Sequence, residues 1–200
     1  HTSSPVALFF KIKIGGNSGP LSSISTSKSY NNDPKSGNFE YKAFPDWETL
    51  PYDFFSPHQN ITSSRIDCLY DLNIERKRLV VTIPVTTLLQ KIAPPAFISG
   101  STFRYETGQK LIINNERLKL DSSGYIASNL VTQRGQYAIR GSVIDIFPMG
   151  SNLPVRVDLF DDEIDSLRLF DPDTQMTVEE VNEFRLLPGK EFPFDDDAIK

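Results

Sequence analysis

From Gln136 onward the chain is a succession of strand-like runs with very little between them. Candidate strands cover 136–147, 154–160, 164–170 and 178–187, and a further one lies near 126–132. The connections are as short as Arg134-Gly135 and Pro148-Met149-Gly150. A parallel connection needs a crossover of about a dozen residues or more, usually a helix, whereas antiparallel neighbours need only a tight turn. The spacing leaves no room for such crossovers, so this half is expected to form an antiparallel meander. A strand near 102–106 and a short helix ending before Gly124, a C′ glycine, make it α+β.

Within this meander, Val155, Val157 and Leu159 share one face of a strand, and Arg156, Asp158 and Phe160 share the other, because side chains alternate with period two. An aromatic ring therefore stands on the polar face beside an arginine. Exposed aromatic and arginine side chains are frequent anchors of protein–protein interfaces. Arg140 ends the preceding strand segment just before Gly141. The alternative is that both arginines pair with nearby acids, worth about 0 to 1 kcal/mol at a surface, while Phe160 covers a loop. Periodicity leaves both readings open.

The first half has a different character. A buried strand is expected over 5–14, followed by a Gly-, Ser- and Asn-rich stretch to residue 38. The segment 44–53 reads as an extended packed loop. A helix is expected over 61–72, with Ile66, Leu69 and Tyr70 on one face, and a buried strand over 78–83. Thr87 and Gln90 have capping-box spacing at the head of a short helix carrying Leu88, Leu89 and Ile92. Strand and helix in alternation give an α/β layer. The prolines and glycine between Ala93 and Gly100 mark a domain boundary.

Charge is unevenly spread. Residues 155–200 hold 14 acidic and 5 basic side chains, although the whole chain of 200 residues has a net charge of only −5. An acidic C-terminal quarter repels a phosphate backbone and disfavours a dedicated nucleic-acid surface. No apolar run approaches the roughly 20 residues that span a bilayer. One cysteine, Cys68, forms no internal disulfide, and with two histidines it is a poor zinc set. A cytoplasmic protein is expected.

Other candidate sites have plainer readings. Gly15-Gly16-Asn17-Ser18-Gly19 follows a strand but lacks the lysine of a phosphate loop. Asp161, Asp162, Glu163 and Asp165 read as a solvated hairpin turn, without the ligand pattern of a calcium loop. The Asp195–Asp197 run reads similarly. His58 is read as a structural hydrogen-bonding group, Cys68 as a small buried residue and Trp47 as core packing. No catalytic, metal-ligating or cofactor-binding residue is assigned.

The wording of several long segments carries a resemblance. DWETLPYDFFSPHQNITSSRIDCLYDL, VTIPVTTLLQKIAPPAFISG, IRGSVIDIFPMGSNLPVRVDLFDDEIDSLRLFDPDTQ and LLPGKEFPFDDDAI follow one another in order. From Asp46 onward the chain closely resembles the N-terminal, UvrB-like region of bacterial transcription-repair coupling factor (Mfd). The resemblance implies an α/β part followed by an α+β part. Residues 1–101 would be an incomplete UvrB-like domain 1a, a partial parallel sheet with helices whose residues 1–40 match poorly. Residues 102–188 would be domain 2 with its antiparallel sheet, and 189–200 the start of domain 1b.

In that family, domain 2 docks UvrA, and Arg140, Arg156 and Phe160 match the family's contact residues. The resemblance therefore implies a non-enzymatic, monomeric adaptor that brings nucleotide excision repair to stalled RNA polymerase. RNA polymerase and DNA would be engaged only through domains outside this chain, and ATP used only by motor domains elsewhere. The UvrA surface is expected to be masked in the full-length protein until the motor engages. The passage from Tyr52 to Leu72 leaves no room for UvrB's DNA-gripping hairpin. The alternative class is a DNA-binding module of the same ancestry.

Overall fold

The computed structural model describes residues 9–10, 40–48, 58–74 and 79–192. The poly-glycine and serine stretch after the first expected strand and the Asp195–Asp197 run lie outside these residues.

The first part is a parallel three-stranded sheet. Strands β1 (Phe9–Phe10), β2 (Glu40–Ala43) and β3 (Leu79–Thr82) lie in the order β1-β3-β2, with β3 parallel to both neighbours. Helix α1 (Gln59–Leu72) lies between β2 and β3 in the chain, as a parallel pair requires. Its N-cap is His58, held extended, whose Nδ1 accepts from the Asn60 amide at 3.2 Å. Of the predicted face, Ile66 and Leu69 are buried and Tyr70 is half-buried; Cys68 is buried beside them.

Two expectations change here. The Thr87/Gln90 capping box does not form; Thr87–Leu89 is a single 3-10 turn without a side-chain cap. Thr86 Oγ1 and Gln90 Nε2 instead donate to the Asp46 carboxylate, each at 2.7 Å. A partner forty residues away displaces the local cap. The proline-punctuated segment contains helix α2 (Pro95–Gly100), with proline in its first turn and Ile98 buried in the same core as Cys68 and Leu69.

The second part is built on a six-stranded sheet. Strands β5 (Ile126–Ala127), β6 (Gln136–Arg140), β7 (Val143–Ile146), β8 (Val155–Phe160), β9 (Glu163–Phe170) and β10 (Thr177–Val181) lie side by side in chain order. All neighbours are antiparallel except β5, which runs parallel to β6. The run 136–147, expected as one strand, is a hairpin that folds at Gly141, where φ is 61°. The strand expected over 126–132 shrinks to two residues. The run 178–187 divides at Asn182, and β11 (Glu183–Leu186) leaves the large sheet to pair with β4 (Phe103–Glu106).

The core lies on one face of the large sheet. Tyr137, Ile144, Ile146, Val155, Val157 and Leu167 pack against Leu120 of helix α3 (Ile113–Ser122) and against Tyr105 and Leu186 of the β4–β11 pair. Helix α3 ends as expected at Gly124, φ 88°. The Gly124 amide donates to Asp121 and the Tyr125 amide to Leu120, both at 3.0 Å, which is a Schellman ending. The opposite face carries a small second core of Val131, Ala138, Phe147 and Phe170.

Helix α1 and the C-terminal segment join the two parts. Ser63 Oγ accepts from the Gly150 amide at 2.8 Å, and Ile66 packs with Met149 and Leu187. Arg65, wholly buried, donates to both oxygens of Glu191 at 2.7 and 3.0 Å and to the Pro45 carbonyl at 2.8 Å. Its guanidinium lies 4.2 Å from the Phe44 ring centroid and 4.1 Å from that of Trp47.

Candidate partner-docking face

The outer face of the large sheet is ordered by register. Asp145 on β7 stands opposite Arg156 on β8, and Arg156 stands opposite Arg168 on β9. One step along, Val143 lies between Arg140 and Asp158, and Asp158 faces Ser166. The predicted alternation of β8 holds: Val155, Val157 and Leu159 are buried, Arg156 and Asp158 are half-buried, and Phe160 is 74% exposed.

Asp145 organises this face. It is wholly buried, and it accepts from Arg156 Nε at 2.7 Å and Nη2 at 3.0 Å. Arg140 Nη2 donates to the same carboxylate. These hydrogen bonds raise the Arg156 pKa beyond arginine's already high value, against the opposing effect of burial. The Arg156 guanidinium also lies 4.7 Å from the Phe170 ring centroid. Two hydrogen bonds to a fixed acid and a ring leave Arg156 little rotamer freedom, whereas Arg140 is half-exposed and, among the described residues, pairs only with Asp145.

The two arginines thus meet through a shared internal acid, as one of the two open readings anticipates. Phe160 is left largely exposed at the end of β8, beyond a bulge between Asp158 and Leu159. The structure brings Arg140 and Arg156 together, and places Phe160 on the same face but outside the hollow they border. That hollow is an open depression of about 430 Å³, lined by Arg140, Arg156, Arg168, Asp158, Val143 and Leu130, with Gln175. Arg168 donates to Asp158 Oδ2 from Nε at 3.0 Å and from Nη2 at 2.5 Å, and Ser166 adds a third donor at 3.2 Å.

Sequence reasoning missed Arg168 and Asp145 as parts of this face. The alternation of Ser166-Leu167-Arg168-Leu169-Phe170 would have placed Arg168 outward, but only register reveals that it meets Arg156. The remaining candidates take their plainer roles. His58 caps a helix, Trp47 stacks on Arg65, and Asp161 and Asp162 form the exposed β8–β9 turn, with Asp161 at φ 53° and Glu163 opening β9. Cys68 is buried, and burial pushes its thiol up to about 12. Among the described residues no cluster of three or more His, Cys, Asp or Glu is placed to hold a metal, and no helix is long and apolar enough to cross a membrane.

Comparison with known proteins identifies the segment that contains this face. Residues 103–192 match the family model described as the UvrB interaction domain. The chain is 48% identical over 157 residues to the transcription-repair-coupling factor of Haemophilus influenzae, and 52% identical over 155 residues to that of Escherichia coli K12. Each alignment covers 78% of this chain but only 14% and 13% of those proteins. A more distant relative, the factor of Bacillus subtilis, is 31% identical over 131 residues, 66% of the chain and 11% of that protein. The chain spans about one seventh of the length of the Haemophilus influenzae and Escherichia coli proteins. With a UvrB interaction domain framing the arginine-bordered face, the chain belongs to the transcription-repair-coupling factor family, as part of its UvrB-like N-terminal region.

Proposed function

We propose that this chain is a non-enzymatic adaptor whose outer sheet face docks UvrA, bringing nucleotide excision repair to a stalled RNA polymerase. The observation that carries this reading is Phe160, exposed on the same sheet face as the coupled arginines Arg140 and Arg156, inside the segment that matches the UvrB interaction domain. A large apolar ring left in water on a rigid strand loses that exposure only when a partner covers it. Arg156 enters the encounter already ordered, so little side-chain entropy is lost when it donates to an acidic group of the partner.

Alanine at Arg156 or at Phe160 is expected to cost about 2 kcal/mol or more of UvrA binding, roughly a thirtyfold loss of affinity. The experiment is a pull-down followed by titration with purified UvrA, comparing wild type, each single variant and the Arg156→Ala/Phe160→Ala double variant. Circular dichroism should report an unchanged fold. Wild-type affinity in the double variant would refute the assignment.

A further inference from the structure

The outer face contains a charge arrangement that folding alone does not favour. Arg156 and Arg168 are direct cross-strand neighbours, and like charges directly opposite one another destabilise a sheet. Arg140 adds a third cation to the same hollow, whose lining includes one carboxylate, Asp158. Asp145 lies beneath and is wholly buried, so it neutralises from inside without facing a partner. Glu180, the edge-strand neighbour of Arg168, is outside the lining.

The donors that remain are also arranged. Arg156 uses Nε and Nη2 on Asp145, Arg168 uses Nε and Nη2 on Asp158, and Arg140 uses Nη2 on Asp145. Among the described residues, the Nη1 group of each arginine makes no hydrogen bond. Three guanidinium groups thus border one open depression with spare N–H groups, Arg140 and Arg156 anchored from behind by Asp145 and Arg168 held by Asp158 within the lining. Planar guanidinium groups in such an array match a carboxylate with charge-assisted hydrogen bonds.

We propose that Arg168 is a third contact residue of the docking face, and that the depression between Arg140, Arg156 and Arg168 receives an acidic side chain, an aspartate or glutamate, of the partner. This rests on the reading of the face as the UvrA-docking surface and extends it to a residue and a hollow that reading does not include. Phe160 supplies apolar contact outside the hollow, and the arginines supply an anionic socket.

The test is titration of the whole chain with UvrA over a series of salt concentrations. The variants are Arg168→Ala, Asp158→Asn, Phe160→Ala and, as a control, Arg104→Ala, an exposed arginine on the smaller sheet that pairs with Glu183. Arg168→Ala is expected to weaken binding at least tenfold and to flatten the salt dependence, while Arg104→Ala changes neither. Asp158→Asn, which removes a negative charge from the hollow but keeps a side-chain oxygen to accept from Arg168, is expected to tighten binding. Arg168→Ala within twofold of wild type, with Phe160→Ala clearly weakened, overturns the inference and leaves the docking surface standing. Equal losses in Arg168→Ala and Asp158→Asn also overturn it, since Arg168 would then only brace the sheet. Wild-type affinity in both Phe160→Ala and Arg168→Ala overturns the docking surface along with the inference.

Discussion

Replacing Glu191 by alanine isolates the contribution of the buried contact between helix α1 and the C-terminal segment. The side chains of Arg65 and Glu191 are 0% and 1% exposed, so neither charge is hydrated in the folded protein. The variant keeps the Pro45 carbonyl and the Phe44 and Trp47 rings around the guanidinium, but removes both carboxylate acceptors. Leaving one member of a buried pair without its partner costs about 3–5 kcal/mol. A domain's whole stability is about 5–15 kcal/mol, so the loss is a large fraction of it. At about 2–4 °C per kcal/mol for a chain of this size, the melting temperature should fall by roughly 6–20 °C.

Urea denaturation followed by fluorescence is suited to this measurement, because Trp47 is the single tryptophan of the chain and lies against Arg65. The Arg65→Met/Glu191→Leu double variant should recover most of the loss, since a buried ion pair replaced by apolar groups of similar volume is often neutral or stabilising. A loss under about 1 kcal/mol in Glu191→Ala, the value of a surface pair, would refute the argument.

Asp145→Ala should lower stability by about 1–3 kcal/mol, because Arg156 loses two hydrogen bonds while remaining mostly covered. It should also weaken UvrA binding although Asp145 itself is wholly buried; wild-type values for both in denaturation and titration would count against its organising role. Gly189→Ala places a Cβ 2.7 Å from the Gly124 backbone, where the chain cannot easily retreat, and should cost about 1–3 kcal/mol in urea melts. Cys68 should resist thiol reagents at pH 8 in the folded chain and react on unfolding, which a thiol-release assay reads directly. Because its folded pKa is raised to about 12 above the ordinary value of about 8.5, its contribution to stability is present below about pH 8.5 and is lost as pH rises toward 12.

Local patterns were legible where one residue's neighbours in sequence decide its environment. The alternation of β8 gave its two faces, the apolar spacing of Ile66 and Leu69 gave helix α1, and Gly124 gave the end of α3. Two of the failures share a cause, which is a distant partner. Nothing between Val178 and Leu187 breaks the strand pattern; the division at Asn182 follows from β11 pairing with β4, almost eighty residues earlier. Gln90 follows Asp46 instead of completing a capping box with Thr87.

The proposed docking face divides in the same way. Arg140, Arg156 and Phe160 could be singled out from strand positions and resemblance. The pairing of both arginines with Asp145, and the entry of Arg168 into the same hollow, depend on the register of β6, β7, β8 and β9. A change of register by one residue would turn those side chains to the opposite face. Reading which acid meets which base therefore requires the sheet itself.

Arg156, clasped by Asp145 and seated near the Phe170 ring, has a kinetic consequence for any partner that lands on this sheet. A surface whose central charge is already in place needs no slow rearrangement at encounter, so association should proceed at the rate that diffusion and long-range attraction allow. Damage to the clasp would then show mainly as a shortened residence time of the complex, with the rate of arrival nearly unchanged.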